Sequence, residues 1–255
     1  MSFFLEENGN LAEMIGIILG DGHVHKKSEK SYLDSALVIS LNRVDEPQYV
    51  NYVEKLIIQL FNIQPRFYHR KDSKSLDLKI SDDDIIDFLI SKGIKTGDKV
   101  KNQVSIPKWI NKDLQWIEIN KEEWNSKNRD LVIACIRGLI DTDGTVYVDH
   151  FNKIICIGFK NASLLLIKDF KNLCSLLGFR TGKITTFSYK SPFDNKKHLN
   201  YQVLIRAKSH VKNFLEMIKP MKWQYKKGEI EKTLKKLGTS IEQSLNSKYK
   251  RNDEF

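Results

Sequence analysis

The spacing of apolar positions divides the chain into two runs of elements in the same order. Leu131, Cys135 and Leu139, with Ile136 and Ile140 beside them, recur at the three-to-four spacing of one buried helix face. This run closes on Arg137-Gly-Leu-Ile-Asp-Thr-Asp-Gly144 and opens onto the strand-like Thr145-Val-Tyr-Val148. Met14-Ile-Gly-Ile-Ile-Leu-Gly-Asp-Gly22 echoes it upstream. The offset that carries Asp21 onto Asp143 also carries Gly16, Ile18 and Gly22 onto Gly138, Ile140 and Gly144. A helix that ends in Asp-Gly is therefore written twice. In each, the terminal glycine is expected to take a left-handed cap, a conformation without penalty for a residue that lacks Cβ.

Asn8 or Asn10 can cap the first of these helices, predicted over 11–19. A polar turn over 26–30 precedes a strand over 35–43, in which Leu37, Ile39 and Leu41 alternate with Val38, Ser40 and Asn42. Glu46-Pro47 starts a helix to about residue 60, with Tyr49, Val53, Leu56, Ile57 and Leu60 inward. Strands over 66–71 and 76–81 follow, joined by Lys71-Asp-Ser-Lys74, and a helix over 82–91 begins in three aspartates that suit its N-terminus. Residues 93–109 read as a loop and 110–128 as a polar linker with a short helical turn around Trp116 and Trp124. From 129 the order restarts, with a helix to 143, strands over 145–149 and 153–160, and a helix over 163–177 ended by Gly178. Strands over 183–189 and 201–206 and a helix over 209–218 complete it, and 227–255 reads as a terminal helix with a charged tail.

The likeness of Leu76-Asp-Leu-Lys-Ile-Ser81 to Tyr201-Gln-Val-Leu-Ile-Arg206 supports a duplication of about 110 residues per copy. The predicted class is α+β, with two pseudo-symmetric αββαββα repeats. They occupy 1–109 and 129–230, separated by the linker 110–128 and followed by 231–255.

Composition narrows the chemistry. The 255 residues are 41% hydrophobic and 29% charged, a globular balance, and a net charge of +10 favours phosphate-bearing polymers as partners. Cys135, Cys156 and Cys174 lie in apolar stretches without zinc or disulfide spacing and read as buried thiols of an intracellular protein. No basic leader and no run of membrane-spanning length is present, so a cytoplasmic or equivalent compartment, and no membrane partner, are expected.

Gly16 and Gly20, like Gly138 and Thr142, lie four apart on one helix face, where small residues let two backbones approach. If the two motif helices pack about a pseudo-twofold axis, Asp21 and Asp143 emerge side by side. Carboxylates at helix C-termini are opposed by both dipoles and by each other, and a divalent cation relieves that opposition. Carboxylate, carbonyl and water ligands suit Mg²⁺, which could activate water and stabilise the leaving oxygen in phosphodiester cleavage. Asp141-Thr-Asp-Gly144 does not fit a calcium loop, because its glycine is misplaced and a strand follows. Asp141 is expected to be a structural hydrogen-bond acceptor.

The paired motifs resemble the dodecapeptide repeats of LAGLIDADG homing endonucleases, over residues 8 to 230 and in the single-chain, two-repeat form. Residues 14–22 and 136–144 match the motif, the second more completely; the first has Leu19 and Gly20 where the family name has Asp and Ala. The resemblance implies cleavage of double-stranded DNA at a long, weakly palindromic site by a monomer. It implies Mg²⁺, with Mn²⁺ as a substitute, bound by Asp21 and Asp143 with help from the carbonyls of Gly20 and Thr142. Asn42 and Lys160 are expected at matching strand positions with water or phosphate roles, and Lys99 and Lys226 at a second basic position.

The strand faces agree. Opposite the core lie Ser40, Asn42, Asp77, Lys79 and Ser81, with Arg66, Tyr68 and Arg70 on the same side and His23 and His25 flanking Val24. The second half offers Thr145, Tyr147, Asp149, Lys183, Thr185, Tyr189, Gln202 and Arg206. Arginine, lysine, glutamine and asparagine read base edges in the major groove, so two antiparallel sheets would form a saddle over the duplex. His23 and His25 lack metal spacing and are expected as DNA contacts; Lys248 and Lys250 are expected to be solvated. Two other readings on the same scaffold are an intron-RNA maturase and a non-catalytic DNA-binding regulator; retention of both aspartates weighs against the second of these. The Met1-Ser2 start and Asp253-Glu-Phe255 end lack splice-junction residues, which favours a freestanding or intron-encoded product over an intein.

Overall fold

The computed structural model describes residues 5–27, 34–71, 73–190 and 197–246, without the side chains of Leu114 and Tyr189. Most of the predicted turn over 26–30, Asp72, and the tail lysines Lys248 and Lys250 lie outside the described residues.

The first half runs α1 (Gly9–Asp21), β1 (Gly22–His25), β2 (Ala36–Asn42), α2 (Pro47–Phe61), β3 (Arg66–His69), β4 (Ser75–Ile80) and α3 (Asp83–Ser91). Two short helices, α4 (Leu114–Ile119) and α5 (Lys121–Glu123), occupy the linker. The second half repeats the order as α6 (Arg129–Thr142), β5 (Gly144–Asp149), β6 (Ile154–Asn161), α7 (Leu164–Leu176), β7 (Thr185–Lys190), β8 (Lys197–Ile205) and α8 (Lys208–Ile218). Two helices, α9 (Met221–Lys236) and α10 (Ile241–Leu245), follow. The αββαββα order is present in both halves.

Local chemistry starts these helices. Asn8 caps α1 by accepting from Leu11 N at 3.0 Å, Asp82 caps α3 through Ile85 N, and Ser163 caps α7 through Leu166 N. Pro47 occupies the first turn of α2, where no amide donor is needed. The linker is more ordered than its polarity suggests: α5 passes through a π-helical turn, Trp124–Asn128, into α6, and Trp124 is buried in the core. The terminal helix α9 begins six residues earlier than expected, directly after Pro220, and residue 230 lies inside it.

Each half forms an antiparallel four-stranded sheet, in the order β1-β2-β4-β3 and β5-β6-β8-β7. Alternation sets the faces. Leu37, Ile39, Leu41, Leu76, Leu78 and Ile80 are buried, while Ser40, Asn42, Asp77 and Lys79 between them remain accessible.

Every residue of α1 from Leu11 to Gly20 is buried, and α6 buries ten of its fourteen. A helix covered on all sides is the centre of a structure and not its flank. The two helices cross at their glycines: a Cβ on Gly16 would overlap the carbonyl of Cys135, and one on Gly138 the carbonyl of Glu13. These contacts are related by the same offset as the two motifs, so the pseudo-twofold axis passes through the crossing. Beside it, Arg137 donates to Glu13 Oε2 at 2.8 Å and to the Ile218 carbonyl at 2.7 Å, and Tyr52 donates to Glu13 Oε1 at 2.7 Å. Buried Glu13 is thereby paired, and α1 is tied to α2, α6 and α8.

The expected left-handed caps do not occur at the motif glycines. Gly22 is extended, with φ −86 and ψ 155, and neither Gly22 nor Gly144 has positive φ, whereas Gly178 after α7 has φ 82. Glycine is required at Gly22 and Gly144 by crowding: a Cβ there would sit 2.6 Å from the Cα of Ile18 or Ile140. Each helix can then pass into its strand with no loop between.

Gly138→Ala is therefore expected to destabilise the protein by about 3 kcal/mol or more, because backbone at the crossing must separate. Gly228→Ala, in α9 with nothing within 4 Å of the added methyl, is expected to stabilise it by roughly 0.5–1 kcal/mol. Urea denaturation of both variants checks the contrast.

Candidate active site

The absence of a loop after either motif helix fixes the site. Asp21 is the last residue of α1, and Asp143 caps α6 immediately before β5. Gly20 of α1 lies against the Thr142 side chain of α6, so the next residue of each helix, a carboxylate, emerges at a common seam. Burial raises the pKa of Asp21 to about 7, with the negative charge of Asp143 the next contributor. Burial also raises that of Asp143, opposed by a hydrogen bond of 2.6 Å from Asn161 Nδ2.

Two lysines, Lys222 buried and Lys99 half-buried, flank the carboxylates. Lys99 Nζ donates to the carbonyls of Leu19, at 3.1 Å, and Gly20, satisfying the open C-terminus of α1. Lys222 Nζ donates to the carbonyls of Thr142, at 2.7 Å, and Gly144, at 2.9 Å, at the end of α6. Burial lowers the pKa of both ammonium groups. The positive charge of each lysine favours ionisation of both carboxylates, against the larger effect of burial.

Lys222 therefore takes the place expected for Lys226, which lies one helical turn further along α9 at the rim of the same cleft. Asp141 explains the choice. Its buried carboxylate accepts from Met221 N at 3.0 Å and Lys222 N at 2.8 Å, capping α9 from a neighbouring helix because Pro220 cannot. Asp141 is thus the structural acceptor anticipated from its sequence, with its pKa pushed up to about 6 by burial.

The pairing of Asn42 with Lys160 is also corrected. Ser40 faces Asp77 in the first sheet as Lys160 faces Gln202 in the second, so Ser40 is the counterpart of Lys160. Asn42 instead folds the turn before α2, its Oδ1 accepting from Val44 N and Asp45 N and its Nδ2 donating to Asp45. The surroundings of the two carboxylates consequently differ. Lys160 Nζ lies 4.3 Å from the centre of the Phe187 ring, and Asn161 holds Asp143. On the other side Ser40 is bound to Asp77, and Arg70 bridges both, while Leu41 replaces Asn161 and carries no donor.

Asp143, Lys160, Asn161, Lys222 and Lys226 line an open cleft of about 490 Å³ together with Glu46 from the first half. Sequence reading took Glu46 only as the start of α2; its approach to Lys222 depends on how the halves dock. A larger cavity of about 750 Å³, between α4 and α7 with Trp116 and Trp124 in its wall, lies away from the carboxylates.

Among the expected nucleic-acid contacts, cross-strand register puts His23, Ser40, Arg66, Tyr68, Asp77 and Lys79 on one accessible face. His25 lies at the outer end of β1, and Arg70 joins the face through its bonds to Ser40 and Asp77. The second sheet presents Thr145, Tyr147, Lys160, Thr185 and Gln202 in the same way. Arg206 follows β8 and pairs with Asp149, and Lys183 is exposed just before β7. The Tyr189 side chain lies outside the described residues. All three cysteines are free and buried.

The donor set tests which ion fits. Among the described residues no group of three or more His, Cys, Asp or Glu side chains converges. Two carboxylates and helix-end carbonyls remain, a hard-oxygen set that suits Mg²⁺, which keeps waters and substrate phosphate as further ligands. The carbonyls of Gly20 and Thr142 already accept from Lys99 and Lys222, leaving each one further lone pair.

Residues 130–219 match the family model described as a LAGLIDADG-like domain. The Replication factor C small subunit of Methanocaldococcus jannaschii is 26% identical over 236 residues, covering 87% of this chain but 11% of its own length. The chain thus spans about a tenth of that relative. Among solved structures, I-DmoI in complex with DNA and Ca is 17% identical, with 83% of this chain and 91% of that one covered and a TM-score of 0.50. The N-terminal LAGLIDADG domain of WhiA is 13% identical, with 89% of each chain covered and a TM-score of 0.50. At these identities the solved structures establish a common fold.

A carboxyl whose native pKa is raised destabilises the folded state as pH rises from about 4 through 7, and the whole cost is present above that range. In EDTA at pH 8, Asp21→Asn is accordingly expected to stabilise the protein, by on the order of 1–4 kcal/mol. At pH 4 the gain should vanish. Urea denaturation at the two pH values measures it; an equal effect at both would contradict the assignment.

Proposed function

We infer, for a chain whose residues 130–219 belong to the LAGLIDADG-like domain family and whose two halves carry that fold, that the protein is a site-specific endonuclease of double-stranded DNA. The observation that carries this reading is the pair Asp21 and Asp143, brought together at the ends of two crossing helices beneath two polar sheet faces. A protein that only bound DNA would have no use for two half-buried carboxylates that oppose each other's ionisation. One chain contains both halves of the site, so it acts as a monomer on a long, pseudo-palindromic target.

Mg²⁺, with Mn²⁺ as a substitute, supplies Lewis-acid stabilisation of phosphate charge and a more acidic water when bound. Asp21 and Asp143 would hold it, aided by the remaining lone pairs of the Gly20 and Thr142 carbonyls. Lys99 and Lys222 fix the helix ends that carry these groups and lower the repulsion between the carboxylates. Lys160 places an ammonium on the accessible side of Asp143, where a scissile phosphate or its attacking water can be oriented. The outward side chains of both sheets read the target, and the net charge of +10 supports phosphate contact along it. Each carboxylate serves one strand.

Sequencing the cut ends after exposing a randomised duplex library to the protein tests this reading. Cuts at one long motif in Mg²⁺, none in EDTA, and loss of cutting with retained binding in Asp21→Asn or Asp143→Asn are expected. Retained cutting in either variant would remove the site. Selective binding without cutting would favour a regulator, and activity only on structured intron RNA a maturase. Because Ser40 replaces Lys160 beside Asp21, Lys160→Met is expected to slow one strand at least tenfold more than the other. Strand-specific end labels report this difference.

A further inference from the structure

The turn between β5 and β6 carries Phe151, which is 93% exposed. An isolated exposed apolar side chain is ordinary, but this one is mounted on a braced support. Asp149 Oδ1 accepts from Phe151 N and Asn152 N, both at 3.1 Å, and Oδ2 accepts from Asn152 Nδ2 at 2.9 Å. Arg206 pairs with the same carboxylate, and Lys153 closes the turn in the left-handed region, at φ 52. The backbone beneath the ring is thus held by Asp149 of β5, itself paired with Arg206 just after β8, while the ring itself projects into solvent.

Its place in the fold gives the ring a partner. β5 begins at Gly144, directly after Asp143, and its accessible side chains Thr145, Tyr147 and Asp149 belong to the face assigned above to DNA. At about 3.3 Å per residue, the turn lies roughly 20 Å from Asp143 along that face. With about 3.4 Å of duplex per base pair, this reaches roughly six base pairs outward from the cleavage centre. His150 and Lys153 flank the ring with groups suited to phosphate.

We propose that Phe151 is a wedge that stacks into one base step at the outer end of the half-site bound by β5 to β8, unstacking and kinking the duplex there. The proposal rests on the DNA reading of the preceding section. In minor-groove-binding, DNA-bending proteins, aromatic and other apolar wedges unstack a base step in this way, and the cost is offset by the wider contact that the bend permits. Here the turn would deliver the ring beyond the stretch of major groove read by the strands. A braced turn suits such a role because its conformation need not be fixed on binding. The wedge would also confer selectivity without hydrogen bonds, since pyrimidine–purine steps unstack most readily.

The test uses the duplex recovered from the randomised library, with 2-aminopurine placed singly at each position from about four to eight base pairs from the centre on each side. The full-length protein is expected to raise fluorescence several-fold at one outer position on one side. Phe151→Ala should abolish that rise, weaken binding by about tenfold and retain the thermal unfolding of the parent protein; Phe151→Trp should restore the rise. Unchanged affinity and fluorescence in Phe151→Ala would overturn the wedge and leave the DNA reading intact. Failure of the parent protein to bind any recovered duplex would overturn both.

Discussion

The contact on which the rest depends is the backbone crossing of α1 and α6 at Gly16 and Gly138. Each glycine leaves the space that the other helix's carbonyl fills, so the two axes approach more closely than side chains would allow. Because both helices pass directly into strands, that distance also sets the separation of Asp21 and Asp143 and the positions of the two sheets. The Glu13–Arg137 pair, joined to Tyr52 and the Ile218 carbonyl, fixes the rotation of one helix against the other. Packing at the core and geometry at the site are a single constraint.

The site is built against its own electrostatics. Burial opposes ionisation of both aspartates and of both lysines, and the carboxylates add repulsion. Lys99 and Lys222, one from each half, reduce this opposition at both carboxylates. No half-site therefore belongs to one half of the chain, and duplication has produced a joint centre whose parts cannot be separated. Its two sides have nevertheless diverged. Lys160 and Asn161 accompany Asp143, whereas Ser40 and Leu41 stand near Asp21, with Ser40 engaged by Asp77 and Arg70.

The element order and the accessible sheet faces were legible in the sequence because they rest on local periodicity, and the duplication because the Asp-Gly motif and a strand recur at a near-constant offset. Leu37, Ile39 and Leu41 could only alternate if β2 is half-buried, and Asp141 was recognisable as a structural acceptor because Asp141-Thr-Asp-Gly144 does not fit a calcium loop. The misassigned features depend on distances the sequence does not encode locally. Gly22 and Gly144 are glycine because of crowding against Ile18 and Ile140, which resembles a cap requirement at the level of composition. Lys226 and Lys222 lie on successive turns of α9, and only the Asp141 cap sets which one reaches the axis. Asn42 and Ser40 both point outward from β2. Strand register identifies Ser40 as the counterpart of Lys160, and more residues separate β1 from β2 than β5 from β6. Glu46 enters the cleft beside Asp143 through the docking of the halves, for which no local signal exists.

The claim that the two aspartates form one cation site is tested most directly by anomalous diffraction from crystals of the protein–duplex complex grown with Mn²⁺. The account predicts anomalous density in contact with carboxylate oxygens of Asp21 and Asp143, and its loss at the substituted position in Asp21→Asn and Asp143→Asn. Mn²⁺ density elsewhere in a cleaved complex, with neither aspartate touching it, would contradict the account.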